Sequence, residues 1–195
     1  MFWSAPLPSV RLDDEQQANT YAIWREVKRQ YPERSAALAL AMIVNAWDES
    51  RIENVCRTDA EDSCGLFQLN AGGNSVAKAL SEETPDGRLN PTKNTRGILE
   101  LLRATGGEVF AALDRNATVA EIAGIFRRDV ERPADRVAKG EFTERSSQTV
   151  WPQYWNTKAD DLPSLRMTWV PLSPGQIALV AAVAAGGVYY MRSKR

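Results

Sequence analysis

Two acids, Asp48 and Glu49, stand where an apolar run from Ala36 to Trp47 comes to its end. The run is apolar on every side, so as a helix it lies wholly inside a core and not on a surface. A carboxylate at the C-terminal end of such a helix sits beside unpaired carbonyls and the negative end of the macrodipole, and both disfavour the anion. Partial burial against Trp47 adds a desolvation cost of the same sign, so a carboxyl that keeps its proton near neutral pH is the expectation, as a general acid requires. The competing reading is a solvated acid at a helix terminus.

After Ser50 comes a polar stretch, Arg51 to Ser63, bracketed by Cys56 and Cys64. It has no helical period and carries Asp59, Glu61 and Asp62, the candidates for a second carboxylate that serves as a base or steadies a developing oxocarbenium ion. Each also reads as a solvated loop acid. Gly65-Leu66-Phe67-Gln68-Leu69-Asn70 comes next. Gly65 permits an unusual backbone angle or the close approach of a ligand. The amides of Gln68 and Asn70 suit N-acetyl and hydroxyl groups, while Leu66, Phe67 and Leu69 fit a turn packed into the core. Cys56 and Cys64 close a short loop, as a disulfide in an oxidising setting or as two packed thiols in a reducing one.

Composition narrows the chemistry. The chain has 195 residues, one ordinary domain with some length to spare, and a net charge of -1 with acids and bases mixed throughout, so no nucleic-acid footprint is expected. It has no histidine and only 2 cysteines. That removes Ser-His and Cys-His catalytic pairs, imidazole zinc sites and Cys₄ sites. No metal and no cofactor is expected. Carboxylate chemistry such as glycoside cleavage remains.

Glu49-Ser50, a loop of a dozen or so residues and then Gly65-Leu66-Phe67-Gln68 resembles the signature of the lysozyme-like superfamily, whose goose-type lysozymes, lytic transglycosylases and phage tail-associated lysozymes end a central helix in "ES" and follow it with "GLxQ". Asn90-Pro91-Thr92-Lys93-Asn94 with Gly97 to Leu102, and Phe126 to Asp135, resemble two further segments of that family. The resemblance covers Pro32 to Arg136. It implies that Glu49 is the catalytic acid and that Ser50, Gly65, Phe67, Gln68 and Asn70 line a glycan cleft. One departure is visible. Lytic transglycosylases usually carry a Tyr-Asn motif where this chain has Gly124-Ile125-Phe126-Arg127, which leans toward the phage branch.

The elements that must position these residues are mostly helical. Asp13 is a fair N-cap for a helix to Gln30, with Tyr21, Trp24, Val27 and Tyr31 recurring at helical spacing as core rather than as a sugar platform. Pro32 starts the central helix. A short helix is expected near Ser75 to Leu80. Asn90-Pro91 caps a helix to Thr105 that turns Ile98, Leu101 and Leu102 inward and stops at Gly106-Gly107. Short helices come after it over Glu108 to Leu113 and, from a capping box at Thr118 to Glu121, as far as Glu131-Arg132. Those last two residues either shape the cleft or form a surface ion pair. The resemblance implies a last helix over Ala134 to Val150, with Trp151, Tyr154 and Trp155 packing on the domain or, as the alternative, stacking on sugar.

The C-terminal segment differs. Residues 159 to 174 contain Pro163, Pro171 and Pro174 and read as a linker; Ile177 to Met191 are uncharged and almost wholly apolar, and Arg192, Lys194 and Arg195 close the chain. The apolar run alone would span about 22 Å of a hydrocarbon core about 30 Å thick, and residues from Trp169 onward make up the length. Ala178, Ala182 and Gly186 form a small-residue stripe suited to helix pairing. A transmembrane helix over 175–195 is expected, a buried soluble helix being the alternative. Met1 to Leu12 has no signal-peptide pattern.

Taken together these features lead to one expectation. A mainly α, lysozyme-like domain over residues 1–158, with a small irregular hairpin, cleaves the β-1,4 bond between N-acetylmuramic acid and N-acetylglucosamine in peptidoglycan strands, as an inverting hydrolase or a lytic transglycosylase. A membrane anchor without a signal peptide fits a virion protein that opens the wall during genome delivery, among other virion proteins and a lipid membrane. A bacterial inner-membrane enzyme facing the periplasm is the alternative location. A non-catalytic glycan-binding or structural membrane protein is the alternative function.

Overall fold

A computed structural model of the chain describes residues 12–56, 63–70, 87–131 and 156–162, together with 76, 79–80, 140–141 and 143. All of them fall in one compact unit, Pro6–Leu165. The fold is mainly α, with one two-stranded hairpin.

Helix α1, Asp14–Gln30, starts where the sequence places its cap. The Gln16 N–H donates to Asp13 Oδ1 at 2.8 Å and the Asp13 N–H to Gln16 Oε1 at 3.0 Å, a reciprocal capping box. Acids in its first turn and Lys28 and Arg29 in its last oppose the helix dipole. Ile23, Trp24 and Val27 point inward and are buried, whereas Tyr21 and Tyr31 are half-buried, so the aromatic stripe is core in part. Tyr31 ends the helix, and a single 3-10 turn, Pro32–Arg34, redirects the chain.

Helix α2, Ser35–Ser50, is the centre of the core: every residue from Ala37 to Ala46 is buried. Each large aliphatic side chain in that stretch contributes about 1.5 to 3 kcal/mol relative to exposure, which is why so uniformly apolar a helix can lie nowhere else. Its one polar interruption, Asn45, is paired through its amide nitrogen, while its Oδ1 is buried with no hydrogen-bond partner among the described residues. Asn45 Nδ2 lies 2.9 Å from Ala41 O and 3.1 Å from Ala123 O, pinning α2 to the helix across the core.

The hairpin pairs β1, Ser63–Cys64, with β2, Leu69–Asn70, in antiparallel register Ser63↔Asn70 and Cys64↔Leu69. Cys56 adds an isolated bridge to Cys64, and the two side chains form a disulfide. Helix α3, Pro91–Thr105, begins with Asn90 accepting from the Lys93 N–H and Pro91 at the first helical position. Ile98, Leu99 and Leu102 are fully buried, whereas Leu101 stays half-buried, so the inner stripe keeps Ile98 and Leu102 of the expected set and has Leu99 in place of Leu101. Glu26 of α1, buried, ties α1 to α3 through Arg96 at 2.9 Å and is also held by Arg29 at 3.0 Å. Burial acts against its charge, yet the hydrogen bonds and charges of the two arginines prevail and hold the carboxyl below its usual range.

Helices α4, Gly107–Asp114, and α5, Val119–Phe126, complete the core, with α5 packed along α2. Thr118 caps α5 by accepting from the Glu121 N–H, while the Glu121 carboxylate pairs with Arg115. After Phe126 the chain does not continue as α-helix to Glu131 as expected. Arg127–Glu131 widen into a π-helical turn. Residues 157–162 return to the domain, where Lys158 bridges Thr118, a 3-10 turn covers Ala159–Asp161 and Leu162 is buried.

Among the described residues no helix is long and apolar enough to cross a membrane. The expected span over 175–195 lies outside the described residues. So do the carboxylates Asp59, Glu61 and Asp62, the aromatics Trp151, Tyr154 and Trp155, and most of the helices expected near 75–80 and 134–150.

Candidate functional site

Glu49 sits in the last turn of α2, its side chain 14% exposed. The backbone just beyond that turn is conformationally demanding. Arg51 (φ 60) and Ile52 (φ 62) are consecutive left-handed non-glycine residues, and such residues cost roughly 1 to 2 kcal/mol each. Polar side chains of α1 hold them there. Gln16 Nε2 donates to Arg51 O at 2.9 Å and Asn19 Nδ2 to Ile52 O at 2.8 Å, with the Ile52 side chain fully buried. The turn that fixes the exit of α2, and with it the direction of Glu49, is thus set by the opposite helix.

Ser50 connects α2 to the hairpin: its Oγ lies 2.9 Å from Leu66 O and 3.1 Å from Ala46 O, one proton facing two acceptors. Asn94, fully buried in the first turn of α3, braces the same loop. Its Nδ2 donates to Cys64 O and Arg88 O, and its Oδ1 accepts from the Phe67 N–H. Gly65 adopts φ +83, and a Cβ there would run into the Asn94 side chain and the Arg88 carbonyl. The glycine therefore serves both an unusual angle and a close approach, and the approaching group is the protein's own Asn94. Gln68 donates to Val55 O at 3.0 Å and Gly65 O at 2.8 Å, while its Oε1 is buried without a hydrogen-bond partner among the described residues. Phe67 is 3% exposed, its ring 6.5 Å from that of Phe126. Asn70 is half-buried at the end of the hairpin. Of the residues expected to line a cleft, Ser50, Gly65 and Phe67 build the loop, Gln68 is largely occupied inside it, and Asn70 lies at its edge.

The π turn faces Glu49. Arg127 Nη1 contacts Glu49 Oε1 and also Glu131 Oε2, and the side chains of Arg127 and Glu131 are 9% and 7% exposed. Glu131 is therefore not a surface acid. Burial raises its carboxyl to about 7; the negative charge of Asp48 pushes the same way, and the charge and hydrogen bond of Arg127 oppose both without cancelling them. Glu131 Oε1 and Arg127 Nε are buried with no hydrogen-bond partner among the described residues. Arg128 does not join the group; it forks onto Asp129 at 2.6 and 2.8 Å.

Glu49 is thus an ion-pair partner of Arg127, and the neighbouring Glu131 is the carboxyl that burial raises to about 7. Motif and spacing do not single out Arg127. A signal for it exists all the same: Arg127 and Glu131 continue, four apart, the apolar stripe that passes through Ala123, and charges on a buried stripe need partners.

Among the described residues no group of His, Cys, Asp and Glu is arranged to hold a metal ion. A groove of about 600 Å³ between Lys28, Arg34, Ala37, Leu113, Asp114 and Leu162 lies at the opposite end of α2. It is about 20 Å from Glu49 at 1.5 Å per residue and is not part of this site. Compared with protein-family models, curated proteins and solved structures, the chain matches none.

Proposed function

We propose that this chain is a peptidoglycan-degrading glycosidase of lysozyme-like type, with Glu49 the acid that protonates the glycosidic oxygen. One observation carries the reading. A carboxylate at the exit of a helix buried from Ala37 to Ala46 shares a guanidinium with a second carboxyl that burial raises to about 7, in a chain whose composition leaves carboxylate chemistry as its main catalytic resource. The bond to be cleaved is the β-1,4 link between N-acetylmuramic acid and N-acetylglucosamine. If water attacks from the face opposite Glu49, the enzyme inverts, with its base about 6.5 to 9.5 Å from the acid. If the muramoyl 6-hydroxyl attacks, Glu49 acts as acid and then as base, and the product carries a 1,6-anhydro end. The apolar segment over 175–195, read as a membrane anchor, suits a virion-associated enzyme acting during genome delivery.

A second reading is favoured by specific contacts. Gln68 donates to the protein's own carbonyls, Phe67 is buried and Glu49 is ion-paired, as in a non-catalytic glycan-binding or structural protein on the same scaffold. Zymography on purified wall separates the two. Clearing by the wild-type chain that is lost in Glu49→Gln supports the enzyme; wall binding without clearing supports the binding protein.

A further inference from the structure

Arg127 Nη1 touches one oxygen of Glu49 and one oxygen of Glu131, so the two carboxyl groups meet on a single nitrogen. The side chains of Glu49, Arg127 and Glu131 are only 14%, 9% and 7% exposed, so this is an interior arrangement and not a mobile surface pair. Glu131 also keeps one buried oxygen with no hydrogen-bond partner among the described residues, which leaves it able to hold a proton without losing its contact to Arg127 through the other. The turn that brings them together is π-helical, a geometry that rotates side chains out of the α-helical succession and recurs at functional sites.

We propose that Arg127 and Glu131 are positioning residues for Glu49, a shared-guanidinium pair through which a single proton passes between the two glutamates. The inference rests on the reading of Glu49 as the catalytic acid. In one state Glu131 carries the proton and Arg127 pairs with the Glu49 carboxylate. In the other an O–H bond has broken at Glu131 and formed at Glu49, and Arg127 pairs with the Glu131 carboxylate. Net charge is the same in both, and the guanidinium already touches both partners, so the exchange needs no charge to enter or leave the interior. The second state is the one that donates to a glycosidic oxygen. Burial alone would make two adjacent carboxylates unfavourable; one guanidinium and one proton between them resolve that conflict.

Asp48 of α2 acts on Glu131 alongside Arg127, and Arg128 of the same turn is taken by Asp129. Helix α3, which also packs against the turn, has Arg96 committed to Glu26 and Arg103 to Gln30.

Two measurements on the full chain test this. Wall lysis is followed against pH for wild type, Glu131→Gln and Glu49→Gln, and the side-chain carboxyl carbons are titrated by NMR in glutamate-labelled wild type. The expected result is that Glu131→Gln loses about tenfold in rate at pH 7, a loss that shrinks as the pH falls. In wild type the Glu49 and Glu131 carbons share their titration steps. A Glu131→Gln chain with wild-type rate and pH profile, alongside an inactive Glu49→Gln, overturns the proposal and leaves the glycosidase reading standing. Full activity in Glu49→Gln overturns that reading itself. If Glu131→Gln does not fold, independent single-step titration of the two carbons in wild type overturns the proposal.

Discussion

Arg127 reaches from the π turn after α5 to the carboxylate of Glu49 at the end of α2, so the residue expected to carry the chemistry is held by a cation on the neighbouring helix. The same cation serves Glu131. Replacing Arg127 by Met leaves two buried carboxyls without their cation, and breaking such a pair costs about 3 to 5 kcal/mol. Urea unfolding at pH 8 measures it. The loss shrinks at pH 5, where protonation relieves part of the repulsion.

Glu131 makes stability depend on pH in a direction opposite to most carboxylates. Its folded pKa is raised to about 7, so the folded chain holds the proton longer than the unfolded one. Stability from this group is full below the unfolded value, falls as pH rises through the window up to about 7, and then levels off. Glu131→Gln removes that fall. Relative to wild type, its unfolding free energy gains on the order of 3 kcal/mol between pH 4 and pH 8, read from paired denaturation curves.

Glu26 behaves in the reverse sense. Its carboxyl is held below the usual range against the opposing effect of burial, so its contribution is present above the unfolded pKa and is lost as pH falls through the folded one. Glu26→Gln costs about 2 kcal/mol at pH 7, the worth of a charged hydrogen bond, and the deficit closes on acidification. Thermal unfolding from pH 7 down to pH 3 checks the slope.

The loop carrying Gly65 has no room for a side chain. Gly65→Ala places a Cβ at a left-handed angle and against Asn94 and Arg88, for a combined cost of about 3 kcal/mol. Amide exchange faster than in wild type at Leu66 to Leu69, with α1 protection unchanged, is the expected pattern.

Reduction of Cys56–Cys64 releases the segment after α2 from the first strand of the hairpin. A bridge closing so short a loop contributes at most about 2 to 3 kcal/mol on the chain-entropy model. Unfolding midpoints with and without reductant give the value, and the intact mass shows the two hydrogens gained.

Helix positions are legible in the sequence because their signals are local. Asp13 with Gln16, Asn90 with Pro91, and Thr118 with Glu121 each announce a start within four residues. The burial of α2 is legible for a similar reason, since a run without a polar face has a single place to go. The loop is half legible: Gly65 points to a demanding backbone, but its partner Asn94 comes from a separate helix far along the chain, which no spacing discloses. The site is least legible. The proton on Glu131 depends on burial by the whole fold and on Asp48 and Arg127 from two elements, and the switch from α to π at Arg127 has no marker in a run as ordinary as Gly124 to Val130.

The most direct measurement is mass spectrometry of purified peptidoglycan digested by the wild-type chain and by Glu49→Gln at equal folded concentration. The account expects muropeptides cut between N-acetylmuramic acid and N-acetylglucosamine from wild type, with reducing or 1,6-anhydro ends according to the nucleophile, and at least about a hundredfold fewer from Glu49→Gln. Undiminished products from Glu49→Gln, or an intact wall after exposure to folded wild type, contradict it.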